Sequence, residues 1–354
     1  MEIHIFTSEG TYNHSFIKFY ENNFELNNQL FVFRCKPEGI YRYSNELKKR
    51  ILYINNSIKF VFILFYKLIK ADKIYIHYFP VGPSLYFWYL SKFLFKKTTW
   101  ILWGGDLYYY KYRPKNFQSD VYEFIRRSIF KKISRIACFI KGDYKLVKKI
   151  YNSKASYEYI VYPIPIDFGY IDSLKIEPDA NFITILLGNS SDPSNEHIAV
   201  INVLKKFKDY NIKIVCPLSY GGEIEYAKSV EEYGRNIFGN KFIALKDFIP
   251  PEEYAKIIKG IDVAIFQHQR QQGLGTILSL LYTGAKVFIR EEITSFETLS
   301  QMGLKLFPID KVNELDYNSF IHLDDETKLT NKRVISREFS NENYVKIWKN
   351  LFEN

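Results

Sequence analysis

The sequence predicts an α/β protein made of two doubly wound, Rossmann-like domains that face each other across a cleft. Three observations support this prediction. The chain has 354 residues, the length of two ordinary domains. Short apolar runs alternate with longer runs of helical periodicity. The alternation stops near residue 165 and restarts near residue 182, so each half predicts a parallel sheet that binds ligands at the carboxyl ends of its strands.

The first half predicts six strands and five helices in alternation. Its apolar runs predict strands at residues 2–6, 30–34, 73–78, 98–102, 135–140 and 157–161. The periodic runs between them predict helices at residues 13–22, 57–71, 84–95, 120–133 and 143–151.

The most apolar stretch, residues 58–79, contains four lysines and an aspartate, so we expect no membrane-spanning helix there. The first residues lack the basic and long apolar segments of a signal peptide.

Two prolines, Pro163 and Pro165, interrupt the pattern and exclude a regular helix or a central strand. We therefore place a first domain at residues 1–165, a linker at 166–180 and a second domain at 181–338. The second domain predicts strands at residues 182–187, 212–216, 241–245, 262–266, 286–289 and 304–306. It predicts helices at residues 195–208, 222–238, 251–259, 276–283 and 295–302. A terminal helix at 341–352, within segment 339–354, could cross back to the first domain.

The charge of the chain is unevenly distributed. The formal net charge is +10, but residues 1–175 carry +14 and the remainder carries −4. This asymmetry predicts an anionic partner for the first half only, such as nucleic acid, anionic lipid or a phosphorylated acceptor. A nucleic-acid-binding module is disfavoured because the aromatic residues lie in buried runs and no helix-turn-helix or RNP-like signature is present.

Several motifs are absent from the sequence. There is no Walker A motif, no GxGxxG after the first strand, no HExxH, no GxSxG and no DxD at a strand end. The three cysteines lie far apart in apolar runs, which excludes a zinc knuckle and a disulfide framework. We therefore expect no metal and no cofactor.

Two loops of the second half carry the strongest chemical signals. GNSSDPSN, residues 188–195, follows an apolar strand and opens a helix, so its amides and hydroxyls could hold a phosphate. Alternatively, Asp192 or Ser194 caps the helix and Pro193 is its first residue. RQQGLGT, residues 270–276, also follows a strand. There the charged guanidinium of Arg270 could donate several hydrogen bonds to phosphate oxygens. The alternative is a solvated loop that binds no ligand.

Two loops of the first half contain candidate catalytic groups. Asp106 follows a strand and a Gly-Gly pair and could be the general base for an acceptor hydroxyl, or a turn or cap residue. His14, in the first strand-to-helix loop, could hydrogen-bond the transferred group or act as a base, or simply cap the helix.

The segments at residues 188–195 and 270–276, together with WGGDLY at 103–108, resemble glycosyltransferase family 56. That family comprises the dTDP-4-acetamido-4,6-dideoxygalactose (Fuc4NAc):lipid II transferases of enterobacterial common antigen synthesis. The resemblance implies a GT-B fold, metal-independent transfer, a dTDP-sugar donor and an undecaprenyl-diphosphate-linked oligosaccharide acceptor. It also implies a bacterial cytoplasmic enzyme held peripherally on the anionic inner face of the inner membrane. A diphosphate-linked acceptor on such a membrane would account for the basic first half.

The resemblance places the nucleotide sugar on the second domain and the acceptor on the first. The expected donor-binding residues are Gly188, Asn189, Ser190, Ser191, Asp192, Arg270, Gln271, Gln272, Gly273, Gly275 and Thr276. The expected catalytic residues are Asp106 and His14. Many GT-B enzymes hold both ribose hydroxyls with a glutamate after the glycine loop, but residues 276–281 contain no carboxylate. A deoxyribose, which has no 2′-hydroxyl, fits that absence. A nucleotide-sugar epimerase is the alternative enzyme, and it would consume the donor without an acceptor.

Overall fold

The computed structural model describes residues 1–55, 63–176 and 181–353. The chain forms two compact units. The first comprises Met1–Pro165 and Asn341–Asn354, and the second comprises Ile166–Ser340. Each unit contains one parallel sheet covered by helices, as the alternating pattern predicts.

The first unit contains a seven-stranded parallel sheet in the order β3-β2-β1-β4-β5-β6-β7. Its strands are β1 (Glu2–Phe6), β2 (Gln29–Phe33), β3 (Ile51–Tyr53), β4 (Lys73–His77), β5 (Thr98–Ile101), β6 (Arg135–Cys138) and β7 (Ser156–Tyr159). Its helices are α1 (Thr11–Asn23), α2 (Asn45–Lys48), α3 (Phe65–Lys70), α4 (Ser84–Leu90), α5 (Tyr109–Tyr112), α6 (Phe117–Phe130) and α7 (Lys141–Tyr151). The strand order changes direction between β1 and β4, which pair with Glu2 opposite Lys73.

The second unit contains a six-stranded parallel sheet in the order β10-β9-β8-β11-β12-β13. Its strands are β8 (Ile183–Leu187), β9 (Ile212–Pro217), β10 (Phe242–Leu245), β11 (Val263–Phe266), β12 (Lys286–Ile289) and β13 (Phe307–Pro308). Its helices are α8 (Phe168–Ser173), α9 (His197–Leu204), α10 (Ile224–Phe238), α11 (Pro251–Lys259), α12 (Leu274–Thr283), α13 (Thr294–Gln301), α14 (Tyr317–Ile321) and α15 (Asp325–Glu338). The order changes direction between β8 and β11, which pair with Ile185 opposite Val263.

A last helix, α16 (Asn341–Glu353), belongs to the first unit. Trp348 is fully buried there, and its ring centroid lies 4.7 Å from that of Phe16 in α1. The indole N–H of Trp348 donates to the carbonyl oxygen of Val161 at 2.9 Å. Aromatic rings also fill the other side of this sheet, where Trp100 stacks on Phe130 at 4.1 Å.

Some elements differ from the sequence predictions. The structure contains β3, which was not predicted, and its last strand is at Phe307–Pro308 rather than at 304–306. The predicted helix 84–95 ends at Leu90, and a 3₁₀ helix, Lys92–Lys97, follows it. The described part of the predicted linker contains α8, whereas residues 177–180 lie outside the described residues, as do residues 57–62 of the predicted helix 57–71.

Candidate functional site

The loop after β8 is fixed by its own polar side chains. Gly188 has a φ of +69°, and a Cβ atom there would lie 2.9 Å from His197 Nε2, so the position requires glycine. Asn195 Nδ2 donates to the carbonyl oxygens of Ser190 and Asp192, both at 3.1 Å. The sequence hypothesis expected Ser and Asn side chains here to donate to an anion. Asn195 instead donates within the loop and gives it a defined shape.

The loop after β9 packs against the loop after β8 and holds it in place. The backbone N–H and the hydroxyl of Ser191 both donate to the carbonyl oxygen of Tyr220, at 2.7 and 2.8 Å. Gly222 lies so close to the carbonyl of Ser191 that a Cβ atom would not fit. Asn189 is 5 % exposed, and its Nδ2 donates to the Tyr220 hydroxyl at 3.4 Å. The sequence analysis did not single out Tyr220.

The loop after β11 meets the loop after β8. Gln272 Nε2 donates to Asn189 Oδ1 at 3.4 Å, and its Oε1 accepts from the Ser194 hydroxyl at 3.2 Å. Gly273 has a φ of +63°, and a Cβ atom there would lie 2.9 Å from Asn189 Cγ. Because β8 and β11 are neighbours at the point where the strand order reverses, the two predicted donor-binding segments lie together and form one candidate site.

Helix α12 begins inside this site without a side-chain cap. Its N-cap residue is Gly273, and its first turn contains no acidic residue. Gly275 is buried, and Gln271 and Thr276 are half-buried beside it. The uncapped N–H groups and the helix dipole favour an anion at this position.

Arg270 reaches the first loop and pairs with Asp192, with 2.8 Å between Nη2 and Oδ2. Asp192 also caps a 3₁₀ helix, Pro193–Asn195, by accepting from the Ser194 N–H at 2.9 Å. This is the capping role considered from the sequence. Burial acts to raise the pKa of Asp192, but the hydrogen bonds from Ser194 and the charge of Arg270 outweigh it and lower that pKa. Asp192 is therefore a carboxylate at neutral pH.

A second ion pair lies beside the first and was missed by the sequence analysis. Arg290 Nη2 pairs with Glu196, whose other oxygen accepts from Gln269 Nε2 at 2.5 Å. A sequence signal existed, because Arg290 follows β12 directly as the segment of Arg270 follows β11. His268 is fully buried, and burial together with the charges of Arg270 and Arg290 lowers its pKa to about 3. That imidazole is neutral.

In the first unit, Asp106 is fully buried and accepts four hydrogen bonds. The donors, at 2.6–3.0 Å, are the backbone N–H groups of Phe79, Trp103 and Leu107 and the indole N–H of Trp100. The buried Arg126 donates to its backbone carbonyl. Burial raises the pKa of Asp106 despite these bonds. A general base must reach the proton that it removes, so this geometry favours the turn residue, and the catalytic role of Asp106 stays a prediction.

His14 lies in α1 with its ring against two tyrosines. Its centroid is 4.7 Å from that of Tyr41 and 5.2 Å from that of Tyr43. Burial and the charge of Lys18 lower its pKa, against the opposing carboxylates. The structure therefore keeps His14 neutral, and its catalytic role stays a prediction.

A cavity of about 450 Å³ lies beside α1, at the carboxyl ends of β1, β4 and β5. Its lining residues are Thr7, Ser8, Gly10, Thr11, Tyr12, Asn13, Tyr78 and Trp103. Tyr78 has a φ of +70°, a strained conformation that clusters at functional sites. Tyr12 and Trp103 meet edge to face at 5.5 Å. The wall thus combines aromatic faces with hydroxyl and amide groups, the combination that binding pockets use to orient a ligand.

A chain of hydrogen bonds runs from the buried sheet to this cavity. The hydroxyl of Tyr162 donates to Asn13 Oδ1 at 3.1 Å and so accepts from His77 Nδ1, also at 3.1 Å. His77 Nε2 then accepts from His4 Nδ1 at 3.0 Å. Asn13 Nδ2 donates onward to the carbonyl of Ser8 at 2.9 Å. Asn13 in the wall of the cavity is therefore held by Tyr162 and, through it, by two histidines of the sheet. None of these three residues was predicted from the sequence.

Within residues 1–55, 63–176 and 181–353, no group of three metal-ligating side chains is found, and no helix is long and apolar enough to cross a membrane.

Comparison with solved structures identifies the fold as GT-B. HepE of Anabaena, solved in complex with UDP, superimposes with a TM-score of 0.69 and 13 % identity over 100 % of both chains. A glycosyltransferase from Rickettsia africae gives 0.66 and 13 % identity, covering 99 % of this chain and 96 % of its own. The sucrose-phosphate synthase of Thermosynechococcus elongatus gives 0.65 and 10 % identity, covering 100 % and 98 %.

Comparison with protein families gives a match along almost the whole chain. Residues 3–354 match the profile described as 4-alpha-L-fucosyltransferase, glycosyl transferase group 56.

Proposed function

The chain belongs to glycosyl transferase group 56 and is a hexosyltransferase, and from this we propose its substrates. We propose that it moves a 4-acetamido-4,6-dideoxyhexose, similar to Fuc4NAc, from a dTDP-sugar to an undecaprenyl-diphosphate-linked oligosaccharide. The product would be a lipid-linked intermediate of a bacterial surface polysaccharide.

The observation that carries the proposal is the meeting of the loops after β8 and β11. When a sugar leaves a nucleoside diphosphate, negative charge grows on the β-phosphate, and the enzyme must stabilise it. The uncapped N-terminus of α12 and the guanidinium of Arg270 supply donors and positive charge for this purpose. HepE, which shares the fold, was solved with UDP and with UDP-glucose, and this supports a nucleotide-sugar donor here.

The proposal of a thymidine nucleotide rests on the first two turns of α12. Residues 276–281 read TILSLL and offer no carboxylate to grip a ribose diol. Ile277, Leu278, Leu280 and Leu281 of this segment are fully buried, and the Ser279 hydroxyl donates to the Gly275 carbonyl at 2.9 Å. A deoxyribose requires one hydrogen bond fewer than a ribose, which matches this apolar segment.

We propose that the cavity beside α1 receives the sugar of the acceptor. Trp103, Tyr12 and Tyr78 give it aromatic faces against which a sugar ring can pack. Thr11 and Ser8 add hydroxyl groups for the hydroxyls of a sugar. Its wall carries no acidic or basic side chain, which suits a neutral glycan.

A basic aromatic face of the first unit supports attachment to the inner membrane from the cytoplasmic side. It comprises Tyr86, Leu90, Lys92, Phe93, Lys96, Lys97, Phe124, Arg127, Lys131 and Lys132. Leu90 is 79 % exposed and Phe124 is 68 % exposed, and Lys92 joins the two segments by donating to Ser128 Oγ at 2.7 Å. Between residues 73 and 119 the only carboxylate is the fully buried Asp106. Arg127 pairs with Glu123, with 3.2 Å between Nε and Oε1, and the other cations of this face have no ion pair among the described residues. Exposed apolar side chains among such cations match an anionic lipid surface.

The helical spacing of residues 122–133 predicts Arg126 on this basic face with Arg127, Lys131 and Lys132, and the structure corrects that prediction. Arg126 is fully buried and pairs with Glu123, with 3.4 Å between Nε and Oε2. Ile125 and Ile129 of the same helix and Ile133, which lies beyond its end at Phe130, are buried as their spacing predicts.

The test is to incubate the purified protein with dTDP-, UDP- and GDP-sugars, with and without a polyprenyl-diphosphate-linked acceptor. We expect release of dTDP only when the acceptor is present, and a higher melting temperature with dTDP than with the other nucleotides. Release of UDP or GDP alone would overturn the proposed donor. Conversion of the donor sugar without an acceptor would support an epimerase instead.

A further inference from the structure

The ion pair between Arg270 and Asp192 places a carboxylate on the same guanidinium that the proposed function assigns to phosphate. The side chains are 20 % and 25 % exposed, so the pair lies at the surface of the site rather than in the core. Carboxylate and phosphate oxygens compete for the same donors of an arginine.

Asp192 is fixed independently of Arg270. Its Oδ1 accepts from the Ser194 N–H at 2.9 Å, and its backbone carbonyl accepts from Asn195 Nδ2 at 3.1 Å. Arg270 has fewer restraints, since its other described bond runs from Nη1 to the carbonyl of Gln271 at 3.5 Å. Arg270 is therefore the member of the pair that can move, whereas the carboxylate remains in the site.

The neighbouring pair behaves differently. Arg290 donates from Nε and Nη2 to the carbonyl of Gln267, at 3.1 and 3.0 Å, and its partner Glu196 is also held by Gln269. Arg290 and Glu196 are thus each held in place by a further hydrogen-bond partner. Of the two arginines, Arg270 is the one placed to exchange partners.

We propose that Asp192 occupies on Arg270 the position of a donor phosphate, so that binding a nucleoside diphosphate exchanges one anionic partner for the other. Asp192 is then an affinity-setting residue. It screens Arg270 in the empty site, and it repels the diphosphate in the filled site, which weakens retention of the nucleotide product. The inference rests on the proposed function because it takes the same loop as the phosphate site.

The decisive variant is Asp192→Asn, because asparagine keeps a cap for Ser194 and removes only the charge. Calorimetric titration with dTDP and with inorganic pyrophosphate should give about fivefold tighter binding than the unaltered protein, the order expected when one nearby like charge is removed. Arg270→Ala should bind both ligands more weakly. In the double variant the gain from Asp192→Asn should vanish, because the competition needs Arg270.

Asp172→Asn is the matched control. Asp172 lies in the same unit, is half exposed and pairs with Lys332 at 2.7 Å, so its removal changes the net charge equally. We expect unaltered dTDP affinity there. An equal gain in this control would reduce the effect of Asp192 to general electrostatics and overturn the inference.

The remaining outcomes separate this inference from the proposed function. Weaker or unaltered dTDP binding by Asp192→Asn would make Asp192 a support for Arg270 and overturn the exchange while leaving the donor assignment intact. If only UDP or GDP binds, the same variants are titrated with that nucleotide, and the dTDP assignment alone fails. If neither a nucleoside diphosphate nor pyrophosphate binds, both proposals are wrong.

Discussion

His4 and His77 are hydrogen-bonded to each other across the neighbouring strands β1 and β4, with 3.0 Å between His4 Nδ1 and His77 Nε2. Burial lowers the pKa of His4 to about 3 and holds that of His77 well below its usual range. Both rings are therefore neutral, and each donates towards the cavity from Nδ1. The polar chain that runs from His4 through Asn13 to the carbonyl of Ser8 thus has a defined direction.

Tyr162→Phe should interrupt this chain. It leaves His77 Nδ1 and Asn13 Oδ1 without their partner. His77 is fully buried, and an unsatisfied buried group costs about 1–3 kcal/mol. We expect a lower free energy of unfolding in urea and a higher KM for the acceptor, with unaltered dTDP affinity. Tyr66→Phe, at a side chain that is 60 % exposed, should change stability by less than about 0.5 kcal/mol. Equal effects of the two substitutions would contradict the positioning role.

The variant Asp106→Asn tests whether the carboxylate of Asp106 has a structural or a catalytic role. In the asparagine variant a side-chain NH₂ group would replace one carboxylate oxygen and would face the N–H groups that donate to this oxygen in the unaltered protein. Donors would then face donors, and this should cost about 2–4 kcal/mol of stability. We expect a lower melting temperature and, in the protein that remains folded, unaltered dTDP binding. A variant with full stability and no transfer activity would instead restore Asp106 as the general base.

Gly273→Ala should disturb the proposed donor site, because its Cβ would lie 2.9 Å from Asn189 Cγ and its φ is positive. Gly239 also has a positive φ, of +57°, but a Cβ there meets nothing within 4 Å. Gly273 is left-handed helical, where alanine costs about 1–2 kcal/mol, whereas Gly239 has a ψ of −133° and alanine there costs about 1–3 kcal/mol. Only Gly273→Ala should also lose dTDP affinity in a titration. Equal dTDP affinities for the two variants would remove Gly273 from the site.

The basic aromatic face predicts salt-sensitive membrane binding. Replacement of Arg127, Lys131 and Lys132 by alanine should weaken sedimentation with anionic vesicles at least about tenfold at low salt, since each charge near the surface contributes about 1 kcal/mol. Exposed lysines of the second unit, Lys205, Lys228 and Lys305, provide the matched triple control. Equal pelleting with neutral vesicles, or equal loss in both triple variants, would show that this face does not bind lipid.

The buried histidines predict loss of stability in acid. The pKa of His268 is about 3 in the folded chain and near 6.5 in an unfolded one, so between these values only the unfolded chain takes up the proton. Stability is therefore present above pH 6.5 and falls as the pH drops, by about 1.4 kcal/mol per pH unit for this group. His268→Gln should reduce that slope in urea titrations between pH 6.5 and 4.5, whereas the exposed His322→Gln should not.

The sequence predicted the strands that are long and apolar, because a buried parallel strand must be apolar on both faces. It missed β3, since that strand has three residues and follows Lys48, Lys49 and Arg50. The three acidic residues at 324–326, which lie among polar residues, predict a solvated turn. In the structure Asp324 caps α15 by accepting from Thr327, and this helix buries only Asn331 and Ile335, so it carries almost no apolar periodicity.

The loops of the site were predictable because glycine, proline and polar residues follow directly after strands at both switch points. Their partners were not, because contacts such as Asp192 with Arg270 join residues far apart in the chain. The same limit explains Arg126 and Asp106. Each belongs to a charged residue type that is ordinarily exposed, and only the folded chain provides the hydrogen bonds that allow its burial.

The position of α16 determines the order in which the units can be completed during synthesis. The second unit is continuous in sequence and can fold as soon as Ser340 has left the ribosome. The first unit is synthesised earlier but must wait, because Trp348, which packs on Phe16, comes from the last fourteen residues. Until then the aromatic side of its sheet stays open to solvent. The nascent first unit is therefore the part of this protein that depends most on protection from aggregation.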